Sequence, residues 1–221
     1  MGININGKRL NHIRFADDVL FADNLHDTVF MMHSLKSLSE RAGLKIIFEK
    51  TKLIKNFVMS GNTTIDNNTI QQTDTYKYLG HEIKISRDNQ THEIQRRIGL
   101  TWAAFGKLSH ILKSSIPMYL KRKVYNQCVL PVKTYGAETL TLTQKSADKL
   151  RVTQRAMERA MLNVSLRDHI TNQLISQISG VQDVIERTTT PKWNWAGHLT
   201  RTQDDRWTKR IMEWRPRIYK R

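Results

Sequence analysis

Several features that would identify other classes of protein are scarce or missing in this 221-residue sequence. It has one cysteine, Cys128, which excludes an internal disulfide framework and a cysteine-based zinc site within this chain. No apolar run approaches the roughly 18 residues of a membrane-spanning helix, so we expect no membrane partner. Acidic residues are also few, 20 against 36 Lys and Arg, and the net charge of +16 indicates a polyanionic partner.

The charge is distributed unevenly along the chain. Residues 1–90 contain 12 Lys and Arg against 10 Asp and Glu, whereas residues 91–221 contain 24 against 10. Such asymmetry predicts regions with different roles. We predict an α+β protein with three regions: strands around one helix over 1–88, a basic helical region over 89–164, and a basic, Trp-rich region over 165–221.

The first region has the pattern of short strands and one helix. Ile3 and Ile5 alternate with polar residues before Asn6-Gly7, and this pattern predicts a tight hairpin. Asn24 is positioned to cap a helix that ends near Gly43. The predicted apolar face of this helix consists of Met31, Leu35, Leu38 and Ala42. Further strands are predicted over Leu44–Phe48, Leu53–Met59 and Tyr76–Ile85.

The second region has helical periodicity. An apolar stripe is predicted along Ile94, Ile98, Trp102, Phe105 and Leu112, with Arg97 off it. Ser115 and Pro117 occupy positions typical of a helix cap and first turn. A later helix is expected to begin near Thr143. Trp193, Trp195, Trp207 and Trp214 follow; stacking on bases and packing into small apolar clusters are both compatible with them.

The acidic pair Asp17-Asp18 lies between two short apolar runs, which predicts a hairpin with carboxylates at its tip. Adjacent carboxylates repel each other, and a divalent cation such as Mg²⁺ would offset that repulsion. Two such ions could support phosphoryl transfer. The alternative is an ordinary polar turn, where Asp is common.

The first region contains three short motifs in order: Phe15-Ala16-Asp17-Asp18, then Gly43-Leu44-Lys45-Ile46 with Lys50-Thr51-Lys52, then Tyr76-Lys77-Tyr78-Leu79-Gly80. In this order and spacing they resemble three consecutive palm motifs of non-LTR (LINE-type) retrotransposon reverse transcriptases, of which the first is the aromatic-X-Asp-Asp motif. Tyr135-Gly136-Ala137-Glu138 and residues 193–198 are similar to the portion that follows the palm in these proteins. The three regions would then be a partial palm, consisting of a small antiparallel sheet with one helix, a helical thumb and a helical post-thumb tail.

The resemblance implies specific roles. Asp17 would bind both catalytic Mg²⁺ ions, and Asp18 would contribute less directly. Lys50 or Lys52 would lie near the phosphates of the incoming nucleotide, although a solvated loop lysine is equally compatible with Lys52. Residues Tyr78, Leu79 and Gly80 would form a turn that contacts the primer end. The implied partners are an RNA template and a DNA primer, and the family acts in the nucleus.

The resemblance also defines what is expected to be missing. Family members carry a further metal-binding aspartate in an earlier palm strand, preceded by fingers, and neither fits before Asp17. We therefore expect a C-terminal fragment of a polyprotein, inactive alone unless the upstream part is supplied. Three departures from the family pattern indicate decay: Lys133 in an apolar run, Leu140 in place of Trp, and Ile47 in place of Asn.

The basic helical region predicts contact with nucleic-acid phosphates, while a solvated basic surface is the alternative. The candidate residues are Lys107, Lys113, Lys121, Arg122, Lys123, Arg151, Arg155 and Arg159. Two functional hypotheses remain. The chain is part of an RNA-directed DNA polymerase that transfers nucleotides to a primer end, or it is a non-catalytic, nucleic-acid-binding remnant of a retrotransposon protein.

Overall fold

The computed structural model of the chain describes residues 1–15, 17–56, 63–65, 68–86, 88–202 and 207–215, without the side chain of Asp17. Its elements form an α+β fold, as the sequence predicts. The backbone divides into two compact units, one of residues 1–87 with 199–221 and the other of residues 88–198. We call the second the helical unit. Within the described ranges, no helix combines the length and apolar composition needed to cross a membrane.

The first unit contains short strands. They are β1 (Ile3–Ile5), β2 (Lys8–Leu10), β3 (His12–Phe15), β4 (Asp17–Leu20), β5 (Lys52–Leu53), β6 (Thr63–Ile65), β7 (Asn68–Gln72), β8 (Thr75–Tyr78) and β9 (His81–Lys84). They form four small sheets, in the orders β1-β2, β3-β4, β5-β7-β6 and β8-β9. The resemblance implies a small antiparallel sheet, but β5 and β7 pair in parallel and most described strands pair only with their neighbours in sequence.

Two hairpins follow directly from turn chemistry. Asn6 and Gly7 have φ angles of 48° and 85°, and a tight hairpin turn with positive φ at both central residues suits this pair. The predicted hairpin between β1 and β2 is confirmed. The predicted hairpin around the acidic pair is also confirmed, because β3 and β4 are antiparallel with Phe15 opposite Asp17.

Helix α1 (Leu25–Arg41) begins as predicted but buries a different face. The Asn24 side chain accepts a hydrogen bond of 2.8 Å from Asp27 N. The predicted apolar face is partly wrong: Met31 and Leu35 are half-buried, but Leu38 is 56% exposed and Met32 is the buried residue. Met32 packs with Ile65 of β6 and its neighbours, so the position of the small sheet decides which face is covered.

The predicted strand over Leu44–Phe48 is also wrong. The chain turns there, with Lys50 N and Thr51 N both donating to Ile47 O at 3.1 Å. Ile46 and Phe48 still pack against the apolar cluster around Met32. Alternating apolar residues can therefore be buried by a turn without joining a ladder. The predicted strand Leu53–Met59 is largely wrong, because β5 ends at Leu53 and residues 54–56 are not in a strand; its last three positions lie outside the described residues.

The helices that follow are α2 (Asn89–Lys107), α3 (Ser109–Leu112), α4 (Met118–Val124), α5 (Leu130–Thr134), α6 (Gln144–Leu162), α7 (Asn172–Ser179), α8 (Val184–Arg201) and α9 (Trp207–Glu213). The predicted start near Thr143 is confirmed, because the Thr143 hydroxyl accepts a hydrogen bond from Ser146 N. Helix α4 begins later than predicted, with Pro117 in place of Ser115 as its N-cap.

A π-helical segment, Tyr125–Val129, joins α4 to α5. Leu130 N donates to Tyr125 O, five residues back, so the hydrogen-bonded turn contains one residue more than a turn of α-helix. Pro131 follows at once, and a proline has no N–H and would clash with a carbonyl of the preceding turn of a regular α-helix. The wider turn therefore lets the chain continue through Pro131 into α5.

The core of the helical unit combines apolar and charged side chains. Tyr125, Met157 and Val184 are fully buried. The predicted stripe on α2 is partly wrong, since Trp102 is 40% exposed and Arg97 is 5% exposed. Arg97 Nε donates to the buried Glu93 at 2.7 Å, and its guanidinium lies 4.7 Å from the centre of the Tyr135 ring. These contacts allow a charged residue to occupy the buried face.

Candidate nucleic-acid interface and acidic hairpin

Strand β4 of the hairpin formed by β3 and β4 contains both residues of the acidic pair. Arg14 and Asp18 are directly opposite each other, with 3.8 Å between Arg14 Nε and Asp18 Oδ1. Their side chains are 63% and 51% exposed, so the pair is solvated and adds little stability. Phe15, beside them, is 68% exposed. Asp17 lies in β4, and its side chain is outside the described atoms.

The described donors do not fit a Mg²⁺ site. Mg²⁺ requires near-octahedral oxygen coordination, usually from one or two carboxylates, waters and substrate phosphates. The one carboxylate described at the hairpin, on Asp18, faces Arg14, and the described residues contain no group of three or more His, Cys, Asp or Glu side chains placed to hold a metal. Mg²⁺ binding by Asp17 and Asp18 therefore stays a prediction, and we derive no catalytic step from it.

The two candidate nucleotide-binding lysines lie in different settings. Lys52 Nζ donates to Glu49 O and to Gln71 Oε1, so it bridges the loop and strand β7. The Lys50 side chain is exposed at the turn. Of the two, Lys50 is therefore the better placed to meet an anion from solvent. The role in nucleotide binding stays a prediction for both.

The motif Tyr78-Leu79-Gly80 forms the turn between β8 and β9. Leu79 and Gly80 both have positive φ, 47° and 77°, and a hairpin turn of two residues requires this conformation. The Tyr78 hydroxyl donates to Phe15 O at 3.5 Å, next to the acidic pair. The structure thus brings two of the three palm-like motifs into contact, while primer contact by this turn stays a prediction.

Five of the eight candidate cations of the helical unit lie on its surface. They are Lys107, Lys113, Arg122, Lys123 and Arg151. Arg151 forms an exposed ion pair with Asp148 at 3.4 Å. Arg122 lies over Gly180 of the turn after α7, where a Cβ atom would come within 2.6 Å of its Nη1. This surface is where a phosphate backbone could bind.

The other three candidate cations form contacts inside the protein. Lys121 is 6% exposed, and its Nζ donates to Met161 O in the last turn of α6 at 2.8 Å. Arg155 pairs with the buried Glu158 at 2.6 Å. Arg159 donates to Asn172 Oδ1 and to the backbone oxygen of Ile170, each at 2.8 Å. Helical spacing predicts one basic face of Arg151, Arg155 and Arg159 on α6, but Arg155 and Arg159 are engaged by Glu158 and by residues near the start of α7.

Lys121 gives a test that separates stability from binding. In Lys121→Met the Met161 carbonyl loses its buried partner, so we expect the free energy of unfolding to fall by about 1–2 kcal/mol. The affinity of the folded variant for nucleic acid should not change. Lys123→Met, at an exposed position, is the control: its affinity for nucleic acid should fall while its free energy of unfolding stays unchanged. Urea unfolding followed by circular dichroism checks the first point; unchanged stability in Lys121→Met would contradict it.

Sequence reasoning missed a buried charged network around Glu158. Its carboxylate is fully buried and accepts hydrogen bonds from Arg155 and, at 2.9 Å, from the Ser179 hydroxyl. Burial, reinforced by the Glu158 charge, raises the pKa of Tyr125 above its usual value. Lys133 is 3% exposed, its ammonium group has no hydrogen-bond partner, and burial lowers its pKa to about 8. The interruption of an apolar run by Lys133 was the available signal.

The tryptophans of the third predicted region lie largely on the surface. On helix α8, Trp193 is 73% exposed and Trp195 is 41% exposed. Trp207, at the start of α9, is 38% exposed. Stacking on bases requires an accessible ring face, and Trp193 has one. Trp102, by contrast, packs edge-on against Phe105 with 5.7 Å between ring centres.

Comparison with known proteins indicates the origin of the chain. It is 31% identical over 231 aligned residues to a Caenorhabditis elegans protein named as an uncharacterized transposon-derived protein. The alignment covers 98% of this chain and 81% of the nematode protein. No protein-family model matches the sequence, and no solved structure matches it. Because the similarity extends along nearly the whole chain, it reflects common descent rather than one shared motif. This chain therefore belongs to a family of transposon-derived proteins.

Proposed function

We propose that this chain derives from a LINE-type reverse transcriptase, an RNA-directed DNA polymerase, and binds the phosphate backbone of template–primer nucleic acid through its helical unit. One observation carries the binding proposal: residues 94–137 contain eight Lys and Arg and no Asp or Glu. Lys107, Lys113, Arg122 and Lys123 of this stretch are exposed. A surface with charges of one sign attracts a polyanion without requiring a particular base sequence.

The transposon origin supports the more specific ancestry. Reverse transcriptases are one class of transposon-encoded protein, and the ordered palm-like motifs resemble those of the LINE type. The acidic hairpin and the turn after Tyr78 lie together in the first unit, linked by the hydrogen bond to Phe15 O. This arrangement is compatible with the remains of a polymerase palm. In this proposal the first unit corresponds to the palm and the helical unit to the thumb.

We expect nucleic-acid binding without primer extension. Asp18 is paired with Arg14, and its surroundings in the described part of the chain add no further metal ligands. Mg²⁺ would then be held weakly and positioned poorly. Primer extension on an RNA template with Mg²⁺, compared with the Asp17→Ala, Asp18→Ala double variant, tests this expectation. Extension by the wild-type chain that the double variant loses would instead establish a working polymerase.

The binding proposal predicts a strong dependence on salt. Four phosphate contacts would release enough counterions to weaken binding roughly 100-fold between about 50 and 200 mM KCl. Fluorescence anisotropy with a labelled RNA–DNA template–primer measures this change. Affinity that is independent of salt, or no binding at low salt, would refute electrostatic recognition.

A matched pair of charge reversals locates the surface. The test variant is Lys107→Glu, Arg122→Glu, Lys123→Glu, and the control is Lys145→Glu, Lys149→Glu, Arg187→Glu. Both change three exposed cations of the helical unit and alter the net charge equally. The test variant should lose at least tenfold more affinity than the control, because only its three residues lie within residues 94–137, which contain no Asp or Glu. Equal losses would mean that net charge alone drives binding.

A further inference from the structure

An open pocket of about 300 Å³ lies beside the C-terminal end of helix α6. Its lining consists of Lys113, Arg159, Ala160, Asn163, Val164 and Ser165. Its volume is at the low end of ligand-binding pockets, and it is open to solvent. The pocket thus brings together two cations from separate helical segments, since Lys113 is the C-cap residue of α3 and Arg159 belongs to α6.

Neither cation is neutralised by a carboxylate among the described residues. Within the described ranges, Arg159 donates to the Asn172 side chain and to Ile170 O, and its Nε is buried without a hydrogen-bond partner. These two fixed contacts hold the guanidinium in place. Two uncompensated positive charges that line one pocket repel each other, and a bound anion would remove that repulsion. The site is therefore pre-organised for an anion.

Two further features suit a phosphate. The Ser165 hydroxyl oxygen accepts a hydrogen bond from Arg167 N, which leaves its proton available for donation. Lys121 donates to Met161 O, so a cation also offsets the negative end of the α6 dipole.

We propose that the pocket between Lys113 and Arg159 binds one backbone phosphate of the nucleic acid. This inference rests on the proposed function and makes it more specific, because it assigns one phosphodiester to a defined pair of cations. The other exposed cations supply diffuse attraction. The pocket instead fixes the position of the backbone on the helical unit, as phosphate contacts generally do.

The slope of log K against log salt concentration tests the assignment. Lys113→Ala should lower the magnitude of this slope by about 0.7–0.9, the contribution of one phosphate contact. Lys145→Ala, another exposed lysine of the helical unit, is the matched control and should leave the slope unchanged. Equal changes in both variants, or an unchanged slope in Lys113→Ala while wild-type binding depends on salt, would overturn the inference.

A second measurement separates this inference from the proposed function. Inorganic phosphate is titrated into the full chain while the amide signals of Val164 and Ser165 are followed by NMR. Chemical-shift changes at these amides that are lost in Lys113→Ala would support the phosphate site. If the chain shows these changes but does not bind template–primer, only the proposed nucleic-acid function is overturned. No shift with phosphate, together with no effect of Lys113→Ala on template–primer binding, refutes the site.

Discussion

Replacing Glu158 with glutamine should lower the free energy of unfolding of the chain by about 3 kcal/mol. The Glu158 carboxylate is fully buried and holds the Arg155 guanidinium through two contacts of 2.6 Å. Removing one member of a buried pair leaves the other charge uncompensated and costs about 3–5 kcal/mol. We expect the lower end of that range, because Asp183 still lies 3.6 Å from Arg155.

Urea unfolding at pH 7 measures this effect. The control is Glu186→Gln, which neutralises an exposed acid in the first turn of α8 and should cost at most about 1 kcal/mol. Helix α7 provides a second readout. Because the Ser179 hydroxyl donates to Glu158, amide exchange near Ser179 should accelerate in Glu158→Gln. Equal stability losses in the two variants would show that the buried network contributes nothing beyond a surface charge.

Replacing Lys133 with methionine should raise the free energy of unfolding by about 2 kcal/mol at pH 7. The Lys133 ammonium is buried without a hydrogen-bond partner, and the nearby Glu158 charge only partly offsets the cost of desolvation. The fall of its pKa from 10.5 to about 8 corresponds to roughly 3 kcal/mol of destabilisation. Methionine keeps most of the volume and removes the charge, although its packing will not be ideal.

The same lysine gives a pH dependence of known sign. Below pH 8 both folded and unfolded states carry the Lys133 proton, so the full destabilisation is present. Between pH 8 and 10 the folded state loses this proton first, and stability rises with pH. Above pH 10.0 the raised pKa of Tyr125 acts in the opposite direction, because the unfolded tyrosine ionises more readily than the folded one.

Stability curves at pH 7, 8, 9 and 10 for wild-type and Lys133→Met chains test this account. The difference in the free energy of unfolding between the two chains should shrink steadily as pH rises, since only the wild-type chain gains stability from deprotonation of Lys133. Lys149→Met, on an exposed position of α6, controls for the added apolar side chain and should stay within about 0.5 kcal/mol of wild type. A difference in the free energy of unfolding that stays constant at all four pH values would contradict the burial of Lys133 in its charged form.

Local chemistry accounts for the parts of the structure that the sequence predicts well. Asn6 and Gly7 adopt positive φ at low cost, so the first hairpin needs no distant partner. Asn24 and Thr143 each cap a helix through a hydrogen bond to a backbone N–H three residues later. The acidic hairpin likewise follows from two short apolar runs that flank Asp17 and Asp18.

Long-range packing accounts for the failures. Helical spacing groups Arg151, Arg155 and Arg159 on one face, yet Arg155 and Arg159 are held by Glu158 and by the segment before α7. The apolar face of α1 was misassigned because the small sheet covers Met32 rather than Leu38. Neither outcome is visible in a local pattern, since each depends on which distant element lies alongside.

The sequence by itself determined the α+β class, the turns and caps, and an excess of positive charge large enough to predict a polyanionic partner. Only the tertiary structure decided which cations can meet that partner. Lys121 and Lys133 are buried, whereas Lys113 remains exposed and shares a pocket with Arg159. The physical reason is range: turns and caps depend on contacts within a few residues, whereas burial and charge pairing depend on helices brought together from distant parts of the chain.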